Sequence, residues 1–478
     1  MRPLRRMLAP ALSATAAGAL LFPTSAQAHG IVGRADLPVP VWLFSWAAAL
    51  VLIVSFVALS TMWRKPQLQS EHRRRLFKLP AALARLASLL GIAVYALVLY
   101  SGFAGSQVWS VNFAVTFIYV VFWVGTPLMS ALAGDVFKAL SPWRSCARAV
   151  RWVGRRAAPR LFDRPPLVRY PTWLGMWPSA AALVGFAWCE LVYVVPDRDQ
   201  PSTLATLALA YFLSMLAGMA LFGVDEWGEK ADGFGAYFTL FSRIAPLCQD
   251  ERGVVYARRP LSGLADMPVI AGTVGLVCTV IGTTTFDGFS NGGIWRENEP
   301  HLQSLFAAFG LHAVPAQELA YSVGLVGCVA LIAGIYRLGI VGVQSVSPRY
   351  DRDRLARTFA HTLVPIGFAY VLAHYFSLLI WQGQAMGYLA SDPLGNGANL
   401  LGTNAYRIDY TIISFAAIWY VQVAALVSGH VGGLALAHDR ALVMYRSPEE
   451  AARSQYWMLA VMVAFTSFGL WLLSAVGT

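Results

Sequence analysis

The sequence predicts an all-α protein, a polytopic bundle of about ten transmembrane helices behind a cleaved signal peptide. Three observations predict it. The 478 residues are 57% hydrophobic and only 13% charged, with a mean hydropathy of +0.56. Several apolar stretches run for about 18 residues or more, the length that crosses the hydrocarbon core of a bilayer. Lysine and arginine gather in alternate connecting segments, as the positive-inside rule requires of a chain that threads back and forth.

The elements follow in chain order. Arg2, Arg5 and Arg6 precede a short apolar run, and Ala26-Gln27-Ala28 forms a small-residue cleavage site before His29. Residues 1–28 therefore read as a signal peptide, with an uncleaved first helix as the alternative. Residues 29–478 read as one integral membrane domain. Its helices are expected over 41–62, 81–102, 111–134, 173–195, 201–222, 268–285, 317–340, 358–381, 410–436 and 454–475. An even number leaves the N- and C-termini on the same, outer side.

The connecting segments carry the charge. The five predicted inner loops hold 27 Lys and Arg, and the outer segments hold 4. Loop 135–172 is the most basic, with nine Lys and Arg against two acids. Its Pro165-Pro166 and scattered Arg and Trp suggest a segment lying on the inner membrane surface. Loop 63–80 is also basic. Loop 223–267 is mixed in charge and carries an amphipathic patch over 234–247, read as an interfacial helix or short hairpin. Two outer loops are substantial: 286–316, opening Phe286-Asp287-Gly288, and 382–409, rich in Gly, Asn and Asp.

This distribution decides what the net charge of +11 means. Loss of the three signal-peptide arginines leaves +8, and the remainder reports topology rather than nucleic-acid binding. The expected partner is the lipid bilayer, with a weak attraction to anionic inner-leaflet lipids. Sixteen tryptophans fit interface belts. Of five cysteines, Cys146 and Cys248 fall inside, and Cys189, Cys278 and Cys328 fall within helices. With no Cys-x-x-Cys and none in an outer loop, neither structural disulfides nor a thiolate metal site is expected. No internal repeat is evident, and the polar, glycine-rich features gather in the C-terminal half, unlike an inverted-repeat transporter.

Residues 358–453 hold four of the eight histidines, His361, His374, His430 and His438. Ionisable groups in or beside membrane helices are costly, so each is a candidate functional residue. His361 and His374, thirteen residues apart, lie about 140° around the helix and roughly 20 Å apart along it, so they cannot share one metal. His430 and His438 are about 80° apart on the ninth helix and its exit, at a depth near that of His361. An inner grouping of His361, His430, His438 and Asp439 is therefore compatible with the spacing. Individual hydrogen bonds to neighbouring helices are its alternative. Gly429 and Gly433 form a Gly-x-x-x-Gly suited to close helix packing.

An outer grouping has better ingredients for hydrolysis. His374 lies in the outer third of its helix, and Glu190 lies near the outer end of the fourth. Asp392, Asn396, Asn404 and Asp409 come from loop 382–409, and Asp287 from loop 286–316. A carboxylate at the depth of Glu190 needs a partner or a raised pKa, either of which suits a general base. His374, Glu190, Asp392 and Asp409 are thus the candidate catalytic residues, with a Glu190–His374 pair that merely fixes packing as the alternative. Histidine with carboxylates is also a ligand set for zinc. His29, which becomes the N-terminal residue on cleavage, offers amine and ring nitrogen together as a chelate for copper. The sequence names no cofactor; a divalent metal, zinc or copper, on His374 or His29 is the candidate, without an H-E-x-x-H or comparable local spacing to support it. The run 392–397 lacks the spacing and closing Glu of a calcium loop and reads as a turn. P-loop, Rossmann and Gly-x-Ser-x-Gly motifs are absent.

Several blocks resemble one family. His361-Thr-Leu-Val-Pro, Ala373-His-Tyr-Phe-Ser-Leu-Leu, Ser391-Asp-Pro-Leu-Gly, Gly429-His-Val and Ala437-His-Asp-Arg-Ala-Leu are similar to the bacterial multipass proteins named fenitrothion hydrolase. So are Ala28-His-Gly-Ile-Val-Gly-Arg, Tyr170-Pro-Thr-Trp-Leu-Gly-Met-Trp-Pro and Ser454-Gln-Tyr-Trp-Met-Leu-Ala-Val-Met. The resemblance spans nearly the whole chain. It implies hydrolysis of an organophosphorus triester in a bacterial cytoplasmic membrane, alone or as a component of a larger system, and transfers no catalytic residue. Two other readings stand beside a hydrolase of lipophilic small molecules. One is a permease or copper-handling protein, and the other is a non-catalytic partner subunit.

Overall fold

In the computed structural model, residues 41–69, 73–162, 165–194, 200–346 and 348–475 are described. His29 and the signal-peptide segment lie outside them. Each expected apolar run is helical. The principal helices are α1 (Val41–Met62), α2 (Ala81–Ala104), α3 (Phe113–Ala133), α4 (Pro142–Ala157), α5 (Trp177–Leu191), α6 (Pro201–Phe222) and α7 (Gly233–Ser242). They continue as α8 (Thr273–Ser290), α9 (Gly293–Ala308), α10 (Ala313–Val346), α11 (Val364–Gln382), α12 (Phe415–Met444) and α13 (Tyr456–Ala475). Among the described residues, seven helices are long and apolar enough to cross a membrane: α1, α2, α3, α6, α10, α12 and the helical run Arg352–Leu389 that contains α11.

Local signals set the helix starts. Asn112 Oδ1 accepts from Ala114 N at 2.9 Å to open α3. Asp232 Oδ1 accepts from Gly235 N at 3.0 Å to open α7. Ser414 Oγ does the same for α12 through Ala417 N at 3.2 Å. Such side chains satisfy amides that have no intrahelical acceptor. Pro142 and Pro201 stand in the first turns of α4 and α6, where a missing N–H costs nothing.

Contacts sort the connecting segments onto two ends of the bundle. At the basic end Asp439 holds residues 67–69, and exposed ion pairs join Lys138 to Glu229 and Arg349 to Glu450. At the opposite end Ser106 N donates to Leu394 O at 2.7 Å and Ser202 N to Gln107 Oε1 at 3.1 Å. The basic end also carries a three-stranded antiparallel sheet. Strand β1 (Arg74–Lys78) pairs with β3 (Val254–Ala257), which pairs with β2 (Leu247–Gln249). The β2–β3 hairpin falls in stretch 223–267, where a short hairpin is one of the two expectations, and the third strand, from loop 63–80, is not anticipated. The strands are three to five residues long, too short to leave a clear alternating signal.

Three boundaries differ from expectation in ways that matter. Helix α8 starts at Thr273, after Gly272 in a left-handed turn (φ +79°), and runs on to Ser290 instead of ending near 285. Residues 286–290, read as an outer loop, are its last turn, and much of the remaining loop is α9. Helix α12 runs on to Met444, so His438 and Asp439 lie within it. The 234–242 part of that patch is core, not interface: Tyr237 and Phe238 of α7 are almost fully buried against Trp123 and Phe122 of α3, and Phe241 packs on Phe368 of α11. By contrast α4 keeps the expected surface character, with Val150, Trp152 and Val153 exposed between its arginines.

Helix α8 is the buried axis of the site region, packed on α5, α10 and α11. Its threonines are tolerated there because each hydroxyl bonds a carbonyl one turn back: Thr283 to Thr279 O at 2.9 Å, Thr284 to Val280 O at 3.1 Å, Thr285 to Ile281 O at 2.8 Å. Gly282 lets α10 approach, since a Cβ there would stand 2.6 Å from Val329 Cα. The pairing of α11 with α12 uses the expected glycines: a Cβ on Gly429 or Gly433 would stand 2.7 Å from Pro365 O or Thr362 O respectively.

Candidate functional site

The extra turn of α8 carries Asp287 into the protein, where it is fully buried. His374 and Tyr375 reach it from α11. His374 Nε2 lies 2.9 Å from Asp287 Oδ2, and the Tyr375 hydroxyl donates to the same oxygen at 2.7 Å. Consecutive residues on a helix point about 100° apart, so both meet one carboxylate only because α8 crosses α11 at this level. Gly288 faces the imidazole: a Cβ there would only reach ordinary contact, 3.7 Å from both Cε1 and Nδ1. Glu190, in the last turn of α5 and half-buried, acts electrostatically on Tyr375 and on Tyr237. Behind it Trp123, in a π-helical stretch of α3, stacks on Tyr237 with ring centroids 4.9 Å apart.

Four polar side chains from α5, α8 and α11 therefore gather inside an apolar bundle near its opposite end. Two of them, His374 and Glu190, are candidates from the sequence. Asp287 counted only as a loop carboxylate, and Tyr375 was not singled out. A signal for Asp287 was present, because Thr283-Thr284-Thr285-Phe286 continues a helical apolar pattern when hydroxyls bond their own backbone.

The other candidates are engaged elsewhere. Asp392 accepts from Asn396 N at 3.1 Å and Gly397 N at 2.8 Å, closing a turn in which Gly395 and Gly397 take positive φ. Asp409 is exposed and accepts from the amide and hydroxyl of Thr411 at 2.7 and 2.6 Å. Those hydrogen bonds hold its carboxyl below the usual aspartate range. Both carboxylates shape their own loop.

The inner residues turn to separate partners. His438 Nε2 lies 3.0 Å from Trp63 O, and its Nδ1 lies 3.3 Å from Gln455 Nε2. Asp439 accepts from Trp63 Nε1, Gln67 N, Leu68 N and Gln69 Nε2 at 2.6–3.1 Å. His361 Nδ1 lies 3.0 Å from Thr358 O, and His430 Nδ1 lies 2.8 Å from Leu426 O. The adjacent pair His438 and Asp439 forms a clasp on the 63–69 segment. Among the described residues no group of three or more His, Cys, Asp or Glu side chains is placed to hold a metal ion. Zinc or copper has no such ligand set there.

Fold and cluster define a class: a multi-pass helical membrane protein with an Asp–His–Tyr cluster buried among its helices. No family model matches the chain, and neither a curated protein nor a solved structure matches it.

Proposed function

We propose that the protein is a membrane-embedded hydrolase of lipophilic esters, with organophosphorus triesters as the substrate class its sequence resemblance implies. The observation that carries this reading is the buried Asp287–His374 pair. An ionised Asp287 takes a proton-bearing Nε2, which leaves Nδ1 as the nitrogen that accepts a proton. His374 is then the general base. It removes a proton from water as the water oxygen bonds to phosphorus, and returns it to the departing alcohol or phenol as the ester P–O bond breaks. Asp287 and Tyr375 are positioning residues that fix the ring. Glu190 keeps a second carboxylate beside Tyr375. Apolar triesters partition into lipid, so a site among membrane helices meets its substrate where the substrate concentrates. In this reading all ten apolar helices span a bacterial cytoplasmic membrane, the basic end faces inward and the cluster lies toward the outer leaflet.

The test is fenitrothion hydrolysis by purified protein in nanodiscs, with and without chelator. His374→Ala is expected to lower the rate about 10²–10⁴-fold, the usual contribution of a general base. An inactive wild type refutes the enzyme, and an undiminished His374→Ala refutes the site.

A proton-coupled permease is the second reading, favoured by one observation. Along the α11–α12 contact and the turn before α11, the buried atoms His361 Nε2, Tyr370 OH, Gln422 Nε2 and His430 Nε2 have no hydrogen-bond partner. A polar seam of this kind suits proton movement. Proton uptake by proteoliposomes under an imposed gradient, abolished in His430→Ala, would select it over the hydrolase.

A further inference from the structure

We infer that the basic end of the bundle contains a binding site for a phosphate group, centred on Arg144. The inference is independent of the hydrolase reading, since it concerns the other end of the molecule. A cavity of about 440 Å³ opens there between α4, α7 and the sheet. Six cations line it: Arg73, Lys138, Arg144, Lys230, Arg243 and Arg258. The lining carboxylates are Asp135, Glu229 and Asp232.

The carboxylates are already engaged. Glu229 pairs with Lys138 at 2.8 Å. Asp135 accepts from Lys138 N at 3.1 Å and from the Thr239 hydroxyl at 2.9 Å. Asp232 is fully buried and accepts from Trp143 Nε1 at 2.6 Å, Tyr211 OH at 2.7 Å and Gly235 N at 3.0 Å. Arg144 feels the charge of Asp232, but its guanidinium makes no hydrogen bond to any described residue. It is nevertheless only 4% exposed.

The fold makes a place for this side chain. Gly228 lies flat against it, and a Cβ there would stand 2.7 Å from Nη2. Arg243 and Arg258 add charge from the far wall. Burial first, and then the neighbouring Arg258, hold the Arg243 guanidinium below its ordinary pKa. Arg243 spends one donor on Gly263 O and Arg258 two on Ala245 O and Ser242 O, which fixes both heads in place.

A guanidinium cannot shed its proton, and a buried charge without a hydrogen-bonded counter-charge is costly. The ligand that answers this set is a tetrahedral oxyanion, whose several oxygens accept from a planar fork and neighbouring cations together. Phosphate can arrive on a lipid headgroup or as a free ion. The exposed Val150, Trp152 and Val153 of α4 suit headgroup depth.

The experiment uses full-length protein in phosphatidylcholine nanodiscs. One arm titrates inorganic phosphate, read by tryptophan fluorescence, because Trp143 adjoins Arg144. The other arm adds phosphatidylglycerol, read by native mass spectrometry as retained lipid. Saturable binding in either arm, weakened roughly ten- to a hundred-fold by Arg144→Gln, is expected, and the responding arm identifies the source. Absence of binding in both arms, or equal binding by Arg144→Gln, overturns the site. If that variant does not insert, Lys138→Gln replaces it. Lys138 is a half-exposed rim residue, and its loss is expected to weaken binding several-fold with an unchanged melting temperature. Equal binding there also overturns the site.

Discussion

Replacing Asp287 tests whether one buried carboxylate organises the cluster. The side chain is fully buried and holds His374 at 2.9 Å and Tyr375 at 2.7 Å. Each hydrogen bond to a charged group contributes about 1.5–3 kcal/mol. Removing the carboxylate leaves the His374 N–H and the Tyr375 hydroxyl as buried donors without an acceptor, each costing about 1–3 kcal/mol. Asp287→Ala should therefore destabilise the protein by about 3 kcal/mol, after allowing for the relief of no longer burying the carboxylate. Asp287→Asn keeps the shape and one acceptor oxygen but removes the charge. Charge-assisted bonds are roughly twice as strong as neutral ones, so its cost should be about half as large.

The assay is unfolding in mixed micelles of rising dodecyl sulfate content, followed by helical circular dichroism. An alanine variant within about 0.5 kcal/mol of wild type, the range of an ordinary surface substitution, would refute the reasoning. So would an asparagine variant as damaged as the alanine one, since it would assign the effect to volume rather than charge.

Two further outcomes follow from particular contacts. Asp439→Ala removes the acceptor of four hydrogen bonds to Trp63 and residues 67–69. Trypsin should then cut faster after the exposed Arg64, and an unchanged cleavage rate would show that the segment is held otherwise. Gly282→Ala should cost about 1–3 kcal/mol, because its Cβ would meet the Val329 backbone. Gly327→Ala has nothing within 4 Å and should be neutral. Equal melting temperatures for the two variants would contradict the close α8–α10 approach.

How much of this was legible in the sequence depended on the length over which each signal is summed. Apolar runs of twenty residues located the helices because burial in lipid or in neighbouring helices is needed along their whole length. The surface character of α4 was legible too, because its arginines and apolar residues alternate at helical spacing. The third strand of the sheet was not, since β1 at 74–78 pairs with β3 at 254–257, and no local pattern encodes so distant a partner. The burial of α7 was also hidden. An apolar face reads alike whether lipid or aromatic side chains cover it.

The candidate site divides in the same way. The sequence by itself determined that this is a helical membrane protein, that its positive charge gathers in segments between apolar runs, and that His374 and Glu190 lie within such runs. Tertiary structure alone decided that Asp287 is a helical residue aimed at His374, that Asp392 and Asp409 close their own turns, and that His438 and Asp439 clasp the 63–69 segment. It also decided that Arg144 faces a cavity with no hydrogen bond from its guanidinium to a described residue. The physical reason is common to all of them. A residue's cost of burial is a property of its own side chain, but what meets that cost is a group from another helix.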